Sequence, residues 1–546
     1  MNPFIKRKDM NTKYIFVTGG VASSLGKGII SSSIGRLMMS RGFKITIQKF
    51  DPYINIDSGT LNPNEHGECY VTTDGHEADL DLGHYERFLG IQMHKANNIT
   101  TGRIYKAVIE KERHGTYLGH TIQVVPHITD EIKRNIRHWE ELNEDERPDM
   151  VIVEIGGTVG DIESLPYMES IRQLKWELGQ DAVSVHLTYI PYLAAAGELK
   201  TKPTQHSVQK LQSYGIQPDI LVLRTEHELS RGLKAKTALF CNVAENAVFQ
   251  SIDAPSIYQV PILLQQQGLD SILLHKMGLN PEEFPSDLKA WNAFLAKREA
   301  SHEEVHVGLV GKYDLQDAYK SIHEATSHAA TYNGRKLKMQ FINSEEITSQ
   351  NVEEKLKGMD AIIIGPGFGQ RGIEGKIIAA NFTRTHDIPT LGICLGMQCM
   401  VIEFARSVIG LQEANSRELN PDTPHPVIDM MEEQKNIVNM GGTMRLGSYR
   451  CEVQHGSRAE QVYGSQVISE RHRHRYEFNN TYKTAFEENG MQCSGINPEN
   501  DLVEIVEIPQ NRFYIGVQFH PEYSSSVLHP HPLFMSLITT SINKNN

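Results

Sequence analysis

The sequence predicts an α/β chain of two domains: an N-terminal phosphate-loop-like domain on a doubly wound parallel sheet, and a C-terminal α/β domain. Three observations predict it. A glycine-rich turn over residues 19–29 stands between the apolar run Tyr14-Ile15-Phe16-Val17 and a helical pattern through Ile30, Ile34, Leu37 and Met38. Short β-rich runs alternate with helical stretches in both halves of the chain. A charged stretch containing Pro281 and Pro285 separates the two series near residues 271–304.

In chain order, residues 44–50 alternate as a second strand and deliver Lys49 beside Asp51. Residues 52–90 are rich in Gly, Asp, His and Asn and poor in periodicity, which predicts a long functional loop. A helix is expected over 127–142, with Ile128, Ile132, Ile136 and Trp139 on one face. Residues 150–155 read as a buried strand with Glu154 near its carboxyl end, ahead of Gly156-Gly157. Further strands are expected at 183–190 and 219–224, and ligands should gather at the strands' carboxyl ends. The second series has a strand ending at Val310, a helix over 318–332, and strands at 337–342, 361–364 and 390–393. This gives an extension at 1–12, a first α/β domain at 13–279, a linker at 280–304 and a second α/β domain at 305–546.

Composition sets outer limits. With 546 residues, 39% hydrophobic and 22% charged, the chain reads as an ordinary soluble enzyme. A net charge of −13 argues against a nucleic-acid polymer as partner. It does not exclude nucleotides: screening acts over about 8 Å, whereas one lysine at ~4 Å contributes about 4 kcal/mol at an effective dielectric of 20. Six cysteines without a Cys-x-x-Cys pair predict reduced thiols. Lys6, Arg7 and Lys8 precede only a short apolar run that breaks at Gly19, so a strand is expected rather than a signal peptide. With no stretch long enough for a membrane span, the expectation is a cytoplasmic protein.

The turn Gly19-Gly20-Val21-Ala22-Ser23-Ser24-Leu25-Gly26-Lys27-Gly28-Ile29 places backbone N–H groups and a helix N-terminus toward an anion, with Lys27 as a point charge. The strict pattern G-x-x-x-x-G-K-[ST] fails at Val21 and Gly28, so the turn is a variant phosphate loop. Asp81 and Glu154 are either solvated acids or Mg2+ ligands. Lys200-Thr201-Lys202-Pro203-Thr204-Gln205, with Lys236 downstream, is either a polar helix start or a second triphosphate site.

Leu391-Gly392-Ile393-Cys394-Leu395-Gly396 has the strand–turn–helix layout of a nucleophile elbow with Cys in the nucleophile's place. The helix N-terminus favours thiolate over thiol. Cys399 reads as packing. His520-Pro521-Glu522 ends a strand at 514–519, and its i, i+2 spacing lets the carboxylate orient the imidazole toward a thiol. The turn Gly365-Pro366-Gly367-Phe368-Gly369 offers N–H groups to an oxyanion. For Arg471-His472-Arg473-His474-Arg475, a solvated basic strand is the expected reading, ahead of metal or nucleic acid.

Gly-Ile-Cys-Leu-Gly-Met-Gln with Gln-Phe-His-Pro-Glu resembles the class I glutamine amidotransferases. The resemblance implies glutamine hydrolysis through a thioester, with contacts at Gly367, Leu395, Gly396, Met397, Gln398, Glu418 and Arg475. Pro366 departs from the usual Pro-Gly-Gly-Phe-Gly and lacks an N–H, which bears on the oxyanion hole and the glutaminase rate. From about residue 13 to 534 the chain resembles the CTP synthase family. The likeness runs through the phosphate loop, Asp51-Pro52-Tyr53-Ile54-Asn55, residues 79–88, Glu154-Ile155-Gly156-Gly157-Thr158-Val159-Gly160-Asp161-Ile162, Lys200–Gln205, residues 441–447 and residues 471–477.

That resemblance implies ATP-dependent amination of UTP to CTP through a 4-phosphorylated intermediate, a ligase reaction of pyrimidine biosynthesis. It assigns ATP to Ser24, Leu25, Gly26, Lys27, Gly28, Ile29 and Asp81, and Mg2+ to Asp81 and Glu154. UTP falls to Ser23, Lys200, Thr201, Lys202, Pro203, Thr204, Gln205 and Lys236, and Lys49 would aid phosphoryl transfer. CTP would inhibit at the same triphosphate site with its base near Asp161, Ile162 and Glu163. GTP would activate, through the 441–447 segment, and a homotetramer is implied. The alternatives are another phosphate-loop amidoligase with a glutaminase domain, or a nucleotide-sensing scaffold with a weakened glutaminase.

Overall fold

The computed structural model describes residues 10–62, 66–313, 316–430 and 444–543. The expected N-terminal extension falls largely outside the described residues, and so do Gly441, Gly442 and Thr443. The chain divides into two compact units, one running to Ser58 and resuming at His84–Lys289, the other made of Gly59–Gly83 and the chain from Ala290.

The first unit is built on strands β1 (Lys13–Gly19), β2 (Ile45–Asp51), β3 (Asn98–Thr100), β4 (Met150–Ile155), β5 (Ala182–Tyr189), β6 (Ile220–Thr225) and β7 (Val248–Ile252). They lie in the order β7-β6-β5-β1-β4-β2-β3, every neighbouring pair parallel. β1 and β4 are buried along their whole length, as continuous Val/Ile/aromatic runs covered on both faces must be. Winding reverses about β1, so the turn between β1 and helix α1 (Lys27–Ser40) opens where such sheets bind ligands. Helix α2 (Lys202–Ser213) starts after a short hairpin that follows β5.

Three expectations change here. The helix expected over 127–142 is in pieces: a π turn at Val124–Ile128, an α-helix at Thr129–Ile136 and a 3-10 turn at Arg137–Glu141. The tighter last turn keeps Trp139 on the buried face, three residues after Ile136. Part of the loop expected over 52–90 is a helix, Asp81–Leu89, which buries Leu82, Tyr85, Phe88 and Leu89 among its polar neighbours. The connector is not loose. Helices Leu269–Lys276 and Lys289–Ala300 fill most of it, Arg41 pairs with the buried Asp270 at 2.7 Å, and Trp291 and Phe294 are buried.

The second unit carries β8 (Glu304–Gly311), β9 (Lys336–Asn343), β10 (Ala361–Ile364), β11 (Thr390–Ile393), β12 (Arg445–Val453), β13 (Val467–His474), β14 (Gln492–Asn497), β15 (Leu502–Glu507) and β16 (Tyr514–Val517). Their order is β9-β8-β10-β11-β16-β15-β14-β12-β13. The first five are mutually parallel and the remainder antiparallel. Helices α3 (Lys320–Tyr332), α4 (Ile373–Thr385) and α5 (Leu395–Phe404) contribute to the cores on its two faces.

Gly59–Gly83 packs within this second unit, although sequence reading places it inside one continuous N-terminal domain. The Glu68 carboxylate accepts from the Ser321 N–H at 3.0 and 3.1 Å, capping α3 with an anion. The Tyr70 hydroxyl donates to the Tyr523 carbonyl at 3.1 Å. Ser448 N–H donates to Thr73 O at 2.8 Å. This cover corrects the solvated reading of residues 471–475. Arg471, His472 and His474 are buried: the Arg471 guanidinium donates to Val71 O, Tyr70 OH and Tyr523 O, Arg473 pairs with Glu77 at 2.8 Å, and on the other face of the strand His472 lies 3.6 Å from Glu504 and His474 3.4 Å from Glu477.

Candidate active sites

The phosphate loop leaves β1 with Gly20 N–H on Leu187 O (3.0 Å) and crosses into left-handed backbone at Val21, Ser24 and Gly26. Gly26 caps α1 at φ 91°, a value glycine meets without strain. Lys27 folds back along Gly19 and donates to Gly157 O at 2.8 Å, on the loop after β4. Beneath it His186 bridges Thr18 and Ser207 at 2.9 Å each. Burial, reinforced by the Lys27 charge, pushes that imidazole down to about 3, so it serves as neutral packing. Ser24, Leu25, Gly26 and Ile29 line a pocket with Arg224, Asp253 and Ala254. Sequence reading missed this far wall, whose signal is only that it lies at the carboxyl ends of β6 and β7.

Glu154 lies buried near the end of β4 and accepts from the Tyr85 hydroxyl at 2.7 Å. Asp81 opens the Asp81–Leu89 helix, with its N–H on Asp79 Oδ1 at 3.0 Å. Lys49, buried on β2, sits 3.6 Å from Asp51. Among the described residues no three His, Cys, Asp or Glu side chains cluster as a metal cage. A nucleotide-borne Mg2+ needs only one or two carboxylates beside phosphates and water, a donor type that Glu154 in the first unit and Asp81 in the second each supply.

Lys202 and Pro203 start α2 as the turn chemistry expects, and the buried Thr204 hydroxyl lies 2.7 Å from Thr188. Gln205 donates to Thr201 at 3.1 Å. Lys200 pairs with the exposed Glu198, whose carboxyl is held low by Lys200 and, more weakly, by Lys236. These two lysines therefore share one neighbourhood. Asp161 accepts from the Thr158 N–H at 2.7 Å, and Ile162 is 79% exposed. Ser23 is exposed in the phosphate loop.

In the second unit Cys394 occupies the turn between β11 and α5 at φ 52°, ψ −108°, a strained conformation for a residue with a Cβ. Gly392 and Gly396 flank it because nothing larger fits: a Cβ on Gly396 would lie 2.0 Å from Ile364 O. The Cys394 N–H is fixed to Val517 O at 2.7 Å. His520 Nδ1 lies 2.8 Å from Glu522 Oε1. Burial opposes charge on this imidazole, but Glu522 and the Cys394 sulfur outweigh it and push the group up to about 10. Both neighbours thus favour the protonated form of the His520 imidazole. Gln518 Nε2 approaches Cys394 Sγ at 3.7 Å and its Oε1 accepts from Gln398 at 3.2 Å. Sequence reading quoted Gln518 within the motif and gave it no role.

Gly367, Cys394, Leu395, Gln398, Glu418 and Arg475 line one pocket. Glu418 Oε1 accepts from Gly369 N–H at 3.0 Å. Met397 and Gly396 lie in the buried first turn of α5 and are not among its lining. Gly365, Pro366 and Gly369 are gripped by two buried lysines that sequence reading passed over. Lys376 Nζ donates to Gly365 O (2.6 Å) and Pro366 O (3.2 Å), and Lys312 Nζ donates to Gly369 O (3.3 Å). Cys399 is buried packing, its thiol pushed by desolvation up to about 12.

Residues 13–279 match the family model described as CTP synthase N-terminus, and residues 314–540 match that of glutamine amidotransferase class-I. A chain that joins these two parts is a glutamine-hydrolysing ligase forming C–N bonds. A CTP synthase of Bacteroides thetaiotaomicron is 69% identical over 538 residues, 98% of this chain and 99% of that one. One from Porphyromonas gingivalis is 61% identical over 97% of this chain and 98% of its own. The chain belongs to the CTP synthase family. The glutaminase domain of Trypanosoma brucei CTPS, solved with bound acivicin, is 35% identical, covering 44% of this chain and 95% of that one, with a TM-score of 0.42.

Proposed function

We propose that the two candidate sites divide the synthesis of CTP between them. At the thiol site, Cys394 Sγ attacks the glutamine carboxamide while Glu418 and Arg475 hold the amino-acid end. His520, oriented by Glu522, gives its proton to the departing ammonia, and water then releases glutamate from the thioester. At the phosphate-loop site, Ser24 to Ile29 cradle ATP, and Ser23, Lys200 to Gln205 and Lys236 hold the UTP triphosphate. Lys49 steadies the phosphoryl group as it moves from ATP to the uracil 4-oxygen. Ammonia then adds at C4 and phosphate leaves. An Mg2+ held by Asp81 and Glu154 would supply charge neutralisation at the nucleotide phosphates.

The reading extends to CTP as inhibitor, sharing the UTP triphosphate residues with its base near Asp161, Ile162 and Glu163. It includes GTP as activator, a homotetramer, and a cytoplasmic location, where these nucleotides are made and used. No helix among the described residues is long and apolar enough to cross a membrane. The observation that carries the proposal is the meeting of Cys394, the His520–Glu522 pair and the Glu418–Arg475 pocket in one unit. The test is CTP formation from UTP and ATP, with glutamine and separately with ammonium salt. Cys394→Ala should abolish the first and spare the second. Equal loss of both would refute the division of labour.

A further inference from the structure

The 365–369 strap is restrained unevenly. Gly365 N–H stays in the ladder on Val310 O at 3.0 Å, and Gly369 is held at both ends, its N–H by Glu418 and its carbonyl by Lys312. Between them, the peptide joining Pro366 to Gly367 turns about two bonds, Pro366 ψ and Gly367 φ. Proline has no N–H to anchor, and glycine offers little steric resistance. The hydrogen bond that restrains this peptide is the one from Lys376 to its carbonyl. In a planar trans peptide the N–H points opposite to the C=O. Fixing Pro366 O therefore fixes the direction of the Gly367 N–H, on a residue that lines the Cys394 pocket.

Lys376 is built to hold still. It sits in the first turn of α4, fully buried, and the neighbouring Gly375 is jammed against Ser344 O so closely that a Cβ would lie 1.8 Å away. Among the described residues no carboxylate lies within ion-pair distance of its ammonium; its partners are the two strap carbonyls. Burial pulls the group down to about 8. A buried charge satisfied only by carbonyls is a costly way to fill space that Met would fill without burying a charge.

We propose that Lys376 is a positioning residue for glutamine hydrolysis, locking the 366–367 peptide so that the Gly367 N–H stands ready to receive the oxyanion with the N–H of Leu395, the residue after the nucleophile. The ammonium also polarises the peptide it grips, strengthening the donor at the other end. The proposal rests on the glutaminase reading of Cys394. It gives the Pro366 departure a physical setting, since the proline removes one anchor and the lysine supplies another.

The test compares two reactions of one thiol in the full-length protein. Glutamine hydrolysis builds an oxyanion; alkylation of Cys394 by iodoacetamide is a displacement that builds none. Lys376→Met should lower the glutaminase kcat roughly 10- to 100-fold, below the 10²–10³ expected for outright loss of an oxyanion donor, with KM within about threefold. The alkylation rate, read at Cys394 by peptide mass, should stay within about twofold of the parent protein. A kcat within threefold of the parent overturns the proposal, and so does a parallel fall of kcat and alkylation, which marks a merely structural lysine. If the Met variant does not melt cooperatively, Lys376→Gln decides by the same two rates. A parent protein that hydrolyses no glutamine overturns the underlying reading instead.

Discussion

Glu477 lies fully enclosed beside Arg445, His474 and Glu504, with Arg445 at 3.8 Å and His474 Nδ1 at 3.4 Å. Burial, opposed by Arg445 and aided by Glu504, pushes its carboxyl up to about 8. The folded state therefore keeps a proton that an unfolded glutamate loses near 4.5, and stability falls as pH rises through that interval. His472 and His474, held neutral chiefly by burial, give the opposite slope, but only below about 6.5. From pH 6.5 to 8 the melting temperature of the parent protein should thus decline, with the raised His520 adding to the fall, and Glu477→Gln should make the decline shallower. Equal slopes in the two proteins would show that Glu477 is not the titrating group. None of this was readable from Arg471-His472-Arg473-His474-Arg475, because alternating cations look the same whether water or a buried carboxylate answers them.

The elements fared according to how local their causes are. β1, α1 and the Cys394 elbow were legible because glycine positions and apolar runs a few residues apart dictate them. The Asp81–Leu89 helix and the helical connector were not, since each buries apolar residues diluted among polar ones against distant parts of the fold. The elbow yields a prediction of its own. Gly396→Ala would drive a methyl into Ile364 O at the end of β10, so α5 must shift from β10. Overpacking of this kind costs typically about 1–3 kcal/mol. The glutaminase unit should melt earlier and lose glutamine hydrolysis, measured by thermal scan and glutamate release; unchanged values for both would mean that the turn tolerates a Cβ.

At the scale of the whole molecule the two chemistries should separate by mutation. Glu154→Ala is expected to lower CTP formation from either nitrogen source by about 10²-fold or more, the scale of losing one electrostatic stabiliser, while glutamate release persists within a few fold. Because Glu154 also receives the Tyr85 hydroxyl, Tyr85→Phe is the control for lost packing. Full CTP synthesis by Glu154→Ala would remove this carboxylate from the reaction. Sequence motifs named both halves of the molecule, yet not which half holds residues 59–83, for that depends on partners such as Ser321 and Tyr523 hundreds of positions downstream.

That excursion has a practical consequence for anyone recombining such enzymes. Since the strip departs after Ser58 and returns at His84, no single scissors cut yields two whole halves. A fragment beginning at Ala290 would amputate the Tyr70 hydroxyl and the Val71 carbonyl that receive the Arg471 guanidinium. Chimaeras between relatives must therefore import two separate stretches of gene together, the short early one travelling with the late one.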